Sequence, residues 1–432
     1  MIPPIPARVL RWGLAIGLVA ALGAVGIRMK YGSGLQVIDD PTARVTTLLS
    51  PADSLATSAG WVPDHDRDGI ADIGVSWERP GGLILWRSLI KWRRTYTPPA
   101  PMVAVLSSTT GSALRESSYA AGTQRFAHRD AGGRICFHVG PSLDPDGTVL
   151  GGSRCIGHSS DSYIFPSEEA GTLVQLTVSR RGAYFRVQDL NSGEDLRVEE
   201  LGDHASLHTW PELTANGRVL LNYGERESWS ELSEVKPDGS GRRWPFWAKE
   251  HGLPGYGELT VLRARVLPDQ RLEAIVLWRV DTEFFPLRLL LGDAEQVEVE
   301  RISPAQTQSG TLAQVAVAWA EFLGDDFAFF QVRRAPGAPH QLLVDVRLPG
   351  CALETAPLPV TEEDIAKQPR LLGSVLRVSS SRGAFFLDVT RIPDLNGDHI
   401  DEWRMMIHMW GFERHALVLA DLDGSTGTVL PR

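Results

Sequence analysis

The chain has 432 residues, 43% of them hydrophobic and 22% charged, which allows a sizeable core and excludes global disorder. Its net charge is −10, and its lysines and arginines are scattered, so it lacks the basic face that nucleic acid requires. The densest basic run, Lys91-Trp92-Arg93-Arg94, reads as a solvated strand end.

Residues 1–34 form the first unit. Arg8 and Arg11 precede an uncharged apolar run from Trp12 to Ile27, with Arg28 and Lys30 behind it. A helix over residues 12–27 spans about 24 Å, short of the roughly 30 Å hydrocarbon core of a bilayer. That suits the h-region of a signal peptide; without a clean A-x-A cleavage site, a signal-anchor helix with a single membrane span remains the other reading. Both readings place residues 35–432 outside the cytoplasm, in the periplasm or at the cell surface. The spacing of basic and apolar residues thus predicts one N-terminal apolar helix and an exported remainder.

The first chemical motif follows soon after. Asp64, Asp66, Asp68 and Asp72 occupy positions 1, 3, 5 and 9 of a nine-residue loop, Gly69 holds position 6, and a strand-like run starts at Ile73. Oxygens on alternate residues of a tight turn converge, and a hard cation such as Ca²⁺ takes six to eight of them. Glycine at the sharpest bend permits a positive φ and lets the carbonyl of Ile70 turn inward as well. No glutamate stands at position 12 and no helix follows, so this is not an EF-hand. His65 within the loop is a poor ligand for a hard cation and reads as outward-facing.

Cys136 and Cys155 flank an Asp144-Pro-Asp-Gly147 turn; they pair across a hairpin in an oxidising compartment or serve as two small buried hydrophobes. Cys351 stands apart. Of the 11 histidines only His204 and His208 have zinc-helix spacing, but no glutamate and no helical pattern accompany them, and two polar loop histidines are the better reading. Ser159, Ser160 and Asp161 after His158 read as an ordinary polar loop, and neither a nucleophile elbow nor a Walker loop is present.

Beyond residue 60 the pattern is one of short strands broken by turns, for example Gly171–Val178, Gly182–Val187, Arg218–Tyr223, Ala274–Trp278 and Gly383–Val389. Glu362–Lys367 reads as a short helix, and Leu312–Phe322 is ambiguous. Turn signals near Pro98, Gly147, Gly193, Gly239, Asp293, Gly337, Ser381 and Gly424 recur about every 43 to 55 residues, the length of a four-stranded propeller blade. Arg181–Phe185 and Arg382–Phe386 also match, at an offset that fits no whole number of blades. Most of the 13 tryptophans are expected to pack between blades.

A second loop lies near the C-terminus. Asp394, Asn396, Asp398 and Glu402 repeat the 1, 3, 5, 9 spacing, with His399 in the glycine position and an apolar run from Trp403 to Trp410. A non-glycine residue at positive φ costs about 1–2 kcal/mol, though His tolerates it better than most. Arg265–Glu273 looks like a decayed copy with acids only at positions 5 and 9, and Glu321–Asp326 like another; neither is expected to hold an ion.

The loop pattern D-x-[DN]-x-D-G-x-x-[DE] running into an apolar strand resembles the FG-GAP or VCBS repeat, similar to that of the integrin α-subunit propeller. The closing Leu419–Gly427 segment is similar to that repeat's third-to-fourth strand hairpin. The resemblance is specific at the two loops and their neighbouring strands. It implies an all-β fold, a β-propeller of four-stranded blades with seven favoured and six to eight possible. The implied calcium ligands are Asp64, Asp66, Asp68, Asp72 and the Ile70 carbonyl, then Asp394, Asn396, Asp398, Glu402 and the Ile400 carbonyl. In the propeller scheme each loop joins the first and second strands of a blade. The function expected is a non-enzymatic, monomeric, calcium-stabilised module that binds a protein or glycan; the alternative is an extracellular hydrolase or lyase on a propeller scaffold.

Overall fold

The structure, a computed structural model, describes residues 36–49, 55–62, 64–79, 100–118, 126–129, 135–137, 142–143, 149–150, 162–167, 172–179, 182–189, 192, 194–200, 206–207, 212–213, 218–224, 230–236, 240–255, 257–293, 296–304, 306–307, 317–361, 383–410 and 416–432. Apart from a single 3-10 turn at Ala248–His251, the regular elements among them are all strands.

The strands pair antiparallel into seven sheets of four or five strands. The first holds Leu55–Val62, Asp72–Arg79, Ala100–Leu106 and Ala113–Ser118 in sequence order. The second runs from Phe126 to Leu150, the third from Ser162 to Glu200 and the fourth from Ser206 to Phe246. The fifth is built on Glu258–Val266, Leu272–Val280, Glu283–Leu291 and Val297–Arg301. The sixth has Val317–Leu323, Asp326–Ala335, Ala338–Arg347 and Glu354–Pro357.

The closing sheet joins the two ends of the described chain. Gly383–Ile392, Glu402–Trp410 and Ala416–Leu422 are followed in space by Val45–Leu49 and then Gln36–Asp39. Arg432 reinforces the junction, donating to the carbonyl of Asp40 at 2.7 Å and to the Asp39 carboxylate at 3.0 Å. Leading strands of successive sheets touch: Leu55–Val62 meets both Phe126–Arg129 and Gly383–Ile392, and Val317–Leu323 meets Glu258–Val266 and Gly383–Ile392.

Alternation along a strand explains why these sheets stack face to face. In Glu402–Trp410, Trp403, Met405, Ile407 and Met409 enter a core shared with Phe330, Val332 and Val344 of the sixth sheet. Met406, on the opposite face, packs with Trp61, Ile73 and Leu106 of the first sheet. A strand buried on both faces carries an almost continuous apolar run instead of alternation. Leu232, Trp244 and Phe246 join Leu259 and Trp278 between the fourth and fifth sheets in the same way.

The five expected strand runs overlap the strands Thr172–Ser179, Gly182–Asp189, Val219–Gly224, Leu272–Val280 and Gly383–Ile392, and both acidic loops join the first strand of a sheet to its second. Two open readings are settled and one expectation needs correction. The ambiguous Leu312–Phe322 segment is strand from Val317 onward, because it pairs with Asp326–Ala335. The Arg181 and Arg382 segments are not equivalent, since Gly182–Asp189 is the third strand of its sheet and Gly383–Ile392 the first of the closing sheet. Finally, the segment after Asp423 is no fourth strand: it returns with a single bridge, Leu422 to Val429, and Val45–Leu49 takes the fourth place.

The apolar segment 12–27, Cys155, His204, His208, residues 158–161, the 362–367 helix and the turn at Pro98 lie outside the described residues. Among the described residues no helix is long and apolar enough to cross a membrane.

Candidate metal centres

Both loops begin and end on paired strand residues, Val62 opposite Asp72 and Ile392 opposite Glu402, so each must reverse within the same short span. Two residues per loop pass through the left-handed region to do so. They are Arg67 (φ 65°) and Gly69 (87°) in the first loop, and Gly397 (87°) and His399 (69°) in the second. Positions 4 and 6 are therefore both left-handed, and each loop has glycine at only one of them. The sequence pointed to position 6 alone.

The position-1 aspartate organises each turn by accepting backbone amides, the local hydrogen bonding that Asx residues offer. Asp64 takes Arg67 at 2.6 Å and Gly69 at 2.8 Å. Asp394 takes Asn396 at 3.1 Å, Gly397 at 2.6 Å and His399 at 2.8 Å. Slight burial opposes ionisation of Asp64, but the amides of Gly69, Arg67 and Asp68 outweigh it and hold the carboxyl below its usual range. Asp394 is held low chiefly by the Gly397 and His399 amides.

Position 9 behaves in the opposite way. Asp72 and Glu402 are both fully buried at the start of the second strand. Burial pushes both carboxyls above their usual range, helped by Asp66 and Asp68 at Asp72 and by Asp423 and Asp398 at Glu402. Asp72 accepts the His65 amide at 2.6 Å and the Ser108 amide at 3.3 Å. Glu402 accepts the Gly424 amide on Oε2 at 2.5 Å and is also held by the Leu395 amide, though its enclosed Oε1 makes no hydrogen bond of close geometry.

Asp64, Asp66 and Asp72 bring carboxylate oxygens within 4.8 Å of one another, and Asp394, Asp398 and Glu402 do the same. Oxygens about 2.3–2.6 Å from a calcium ion stand about 4.6–5.2 Å apart across it, so both clusters have the dimensions of a hard-cation cage. An all-oxygen donor set with a buried acceptor at Glu402 that makes no close hydrogen bond fits such an ion. Asp68 is turned aside, with one oxygen on the Ile70 amide at 2.8 Å and the other on the Thr109 hydroxyl. Asn396 donates to Asp423 at 2.9 Å and accepts the Asp398 amide at 2.8 Å. Ile70 is buried, whereas Ile400 is 44% exposed. The histidines also differ: the His399 side chain is 95% exposed, as expected, but His65 is half-buried with an enclosed Nε2.

The sequence marks one partner turn, within Leu419–Gly427, but not its copy after Leu106. Leu106-Ser-Ser-Thr-Thr-Gly-Ser-Ala-Leu114 and Leu422-Asp-Gly-Ser-Thr-Gly-Thr-Val-Leu430 make the same turn. Gly111 donates to the Ser107 carbonyl and Gly427 to the Asp423 carbonyl, each at 2.8 Å, and hydroxyls of Thr110 and Ser112 or Thr426 and Thr428 meet at 2.8 Å. The second residue of each turn, Ser108 or Gly424, supplies the amide that holds the position-9 acid. Each candidate centre is thus a loop plus a turn about 30 residues away. The legible signal was the shared S/T-T-G-S/T wording.

The decayed copy keeps the left-handed position 6 and the buried position 9, but it is a tighter hairpin in which position 1 pairs with position 9, and its charge differs. Gln270, at position 6, is again left-handed (φ 69°), and Glu273, at position 9, is again fully buried. Arg265, at position 1, now donates to Glu273 at 2.6 Å, and Arg288 donates to its other oxygen at 2.5 Å. An arginine stands where the other loops place an aspartate.

No family model and no curated protein matches this chain. Among solved structures, it is similar to a structural-genomics protein from Lactobacillus plantarum at 10% identity, covering 79% of this chain and 92% of that one with a TM-score of 0.39. It is also similar to TolB from Acinetobacter baumannii (12% identity, 78% and 79% covered, TM-score 0.34) and to the Nup133 β-propeller domain of Vanderwaltozyma polyspora (9%, 89% and 99%, 0.34).

Proposed function

We propose that this chain is a seven-bladed propeller of the FG-GAP/VCBS type, exported, stabilised by calcium in the loops 64–72 and 394–402, and acting as a monomeric, non-enzymatic binding module for a protein or glycan. The reading draws on seven consecutive antiparallel sheets with the ends joined in one. The observation that carries the cation is Glu402, fully buried beside Asp394 and Asp398, with its carboxyl pushed up despite the Gly424 and Leu395 amides and its Oε1 without a close hydrogen bond. A buried acceptor without a close partner is costly, and an ion supplies the missing partner and charge together.

The acids upward-shifted among the described residues are Asp72 and Glu402. Their place at loop ends with ligand spacing favours a structural ion over acid–base chemistry. When bound, calcium would lend positive charge to carboxylates that otherwise repel one another. Asp64 and Asp394 would orient the turns, and the amides of Ser108 and Gly424 would hold the position-9 acids.

Calorimetric titration of the chelator-treated full chain with calcium tests the reading. Saturation at a hundred times Kd raises stability by about 2.7 kcal/mol. Absence of both binding heat and a calcium-dependent rise in Tm overturns it. A pull-down from cell envelope with and without chelator then separates a cation-dependent partner from none.

A further inference from the structure

The two loops lie on adjacent sheets, one on each side of the seam where the two ends of the described chain meet. A Cβ added to Gly69 in the first loop would sit 3.9 Å from Pro393 at the head of the second. A buried side chain bridges the same seam. Arg404, two residues beyond Glu402 on the same face of its strand, binds Asp421 with two hydrogen bonds of 2.6 and 2.9 Å. Its remaining nitrogen reaches into the first sheet, donating to the Ser108 hydroxyl at 3.1 Å and the Ser108 carbonyl at 3.4 Å. Ser108 is also the residue whose amide holds Asp72, the position-9 acid of the first loop.

The bridge is therefore continuous: Glu402 and Arg404 on one strand, Ser108 in the neighbouring turn, Asp72 at the end of the other loop. The N-terminal strands are clamped by that same turn. A Cβ on Gly111 would fall 2.6 Å from both Leu48 and Val37, so the turn lies directly against Val45–Leu49 and Gln36–Asp39. Charge makes the coupling matter. Asp394, Asp398, Glu402, Asp421 and Asp423 crowd the closing side, and the buried arginine there is already committed to Asp421.

We infer that the two loops work as one latch across the seam: a cation in either loop strengthens binding in the other, through Arg404 and Ser108, and the pair fastens the N-terminal strands to the closing sheet. This rests on the cation reading above. A cation at Glu402 fixes the strand that carries Arg404, which fixes Ser108 and with it the amide aimed at Asp72. Linkage makes the effect reciprocal and equal in both directions.

The test is calcium titration of the full chain by calorimetry, comparing wild type with Asp398→Ala and Asp66→Ala. Both replaced side chains are exposed, so neither change empties the core. Each is expected to weaken the untouched loop by about fivefold or more, the lower range of allosteric coupling. Ser108→Ala, which removes the hydroxyl but keeps the amide, is expected to shrink that factor while leaving two sites. Hydrogen exchange supplies the second readout, with Gln36–Leu49 exchanging faster in Asp66→Ala at saturating calcium. Two sites that bind independently, or N-terminal strands indifferent to both loops, would overturn the latch and leave the cation reading standing. No calcium binding by wild type would overturn the cation reading itself.

Discussion

The seam and the fifth sheet solve one problem in two ways. In each, a carboxylate is buried at the start of a second strand after a loop with a left-handed position 6. At the fifth sheet Glu273 is neutralised from within the chain by Arg265 and Arg288. At the seam Asp72 and Glu402 have only amides, and one oxygen of Glu402 makes no close hydrogen bond. The connection at the fifth sheet is tighter, since Arg265 pairs directly with Glu273, whereas Val62 and Ile392 pair with the position-9 acids and leave position 1 in the loop. Covalently attached charge costs nothing to bind and cannot be withdrawn. On the proposed reading, the diffusible ion at the seam could be removed, unlike the arginines of the fifth sheet.

Arginines also tie the middle sheets together without an ion. Arg242 of the fourth sheet donates to the Gln270 carbonyl at 2.9 Å in the loop of the fifth. Arg265 of the fifth reaches the Gly324 carbonyl in the turn of the sixth. Gln270 and Gly324 are both left-handed, so their carbonyls stand clear of the strand ladder for a neighbouring sheet to take.

Arg404→Ala should give the largest loss, about 3–5 kcal/mol, because it strands Asp421 as a buried unpaired charge; denaturant unfolding measures it, and a loss below 1 kcal/mol would remove Arg404 from the account of the seam. Arg265→Ala should cost about 1–3 kcal/mol by depriving buried Glu273 of one charged partner. That cost should be equal with calcium and with chelator, and a calcium-dependent cost would blur the line between the two regions. Backbone strain is next. Gly69→Ala should destabilise by about 1–2 kcal/mol and His399→Gly should stabilise by about 1 kcal/mol, since both positions are left-handed; thermal melts that show no opposite signs would contradict the shared geometry.

Acid should have the smallest effect. Burial opposes ionisation of Asp326, but Arg347 and the Gly350 amide outweigh it and hold its carboxyl below the usual range. Thr46 and then Arg432 do the same for Asp39. A depressed folded value means stability is present above the ordinary carboxylate range and is lost as pH falls through the depressed one. Both groups are partly exposed, so solvent screening keeps the loss small. A Tm of the chelated protein that rises continuously to pH 2 would contradict that sign.

Much of the sheet structure was legible because strands buried on both faces are continuous apolar runs, as in Leu272–Val280 and Glu402–Trp410. The loops were legible for a different reason: acids on alternate residues with a glycine or histidine at position 6 mark a tight turn, and both segments turn between paired strands. What escaped was the non-local half of the first site. Ser108 lies 36 residues from Asp72, and nothing in a serine marks its amide as a clasp. His65 escaped as well, since whether a loop side chain turns in or out depends on what packs above it.

Local chemistry therefore set the turns, the strand periodicity and the ligand spacing, because those depend on φ preferences and on neighbours a few residues apart. Only the tertiary structure decided that Val45–Leu49 completes the last sheet, that Arg404 crosses to Ser108, and that Arg265 answers Glu273 while Glu402 keeps an oxygen without a close hydrogen bond. Those outcomes depend on which surfaces meet when the sheets stack, and sequence distance carries no record of it.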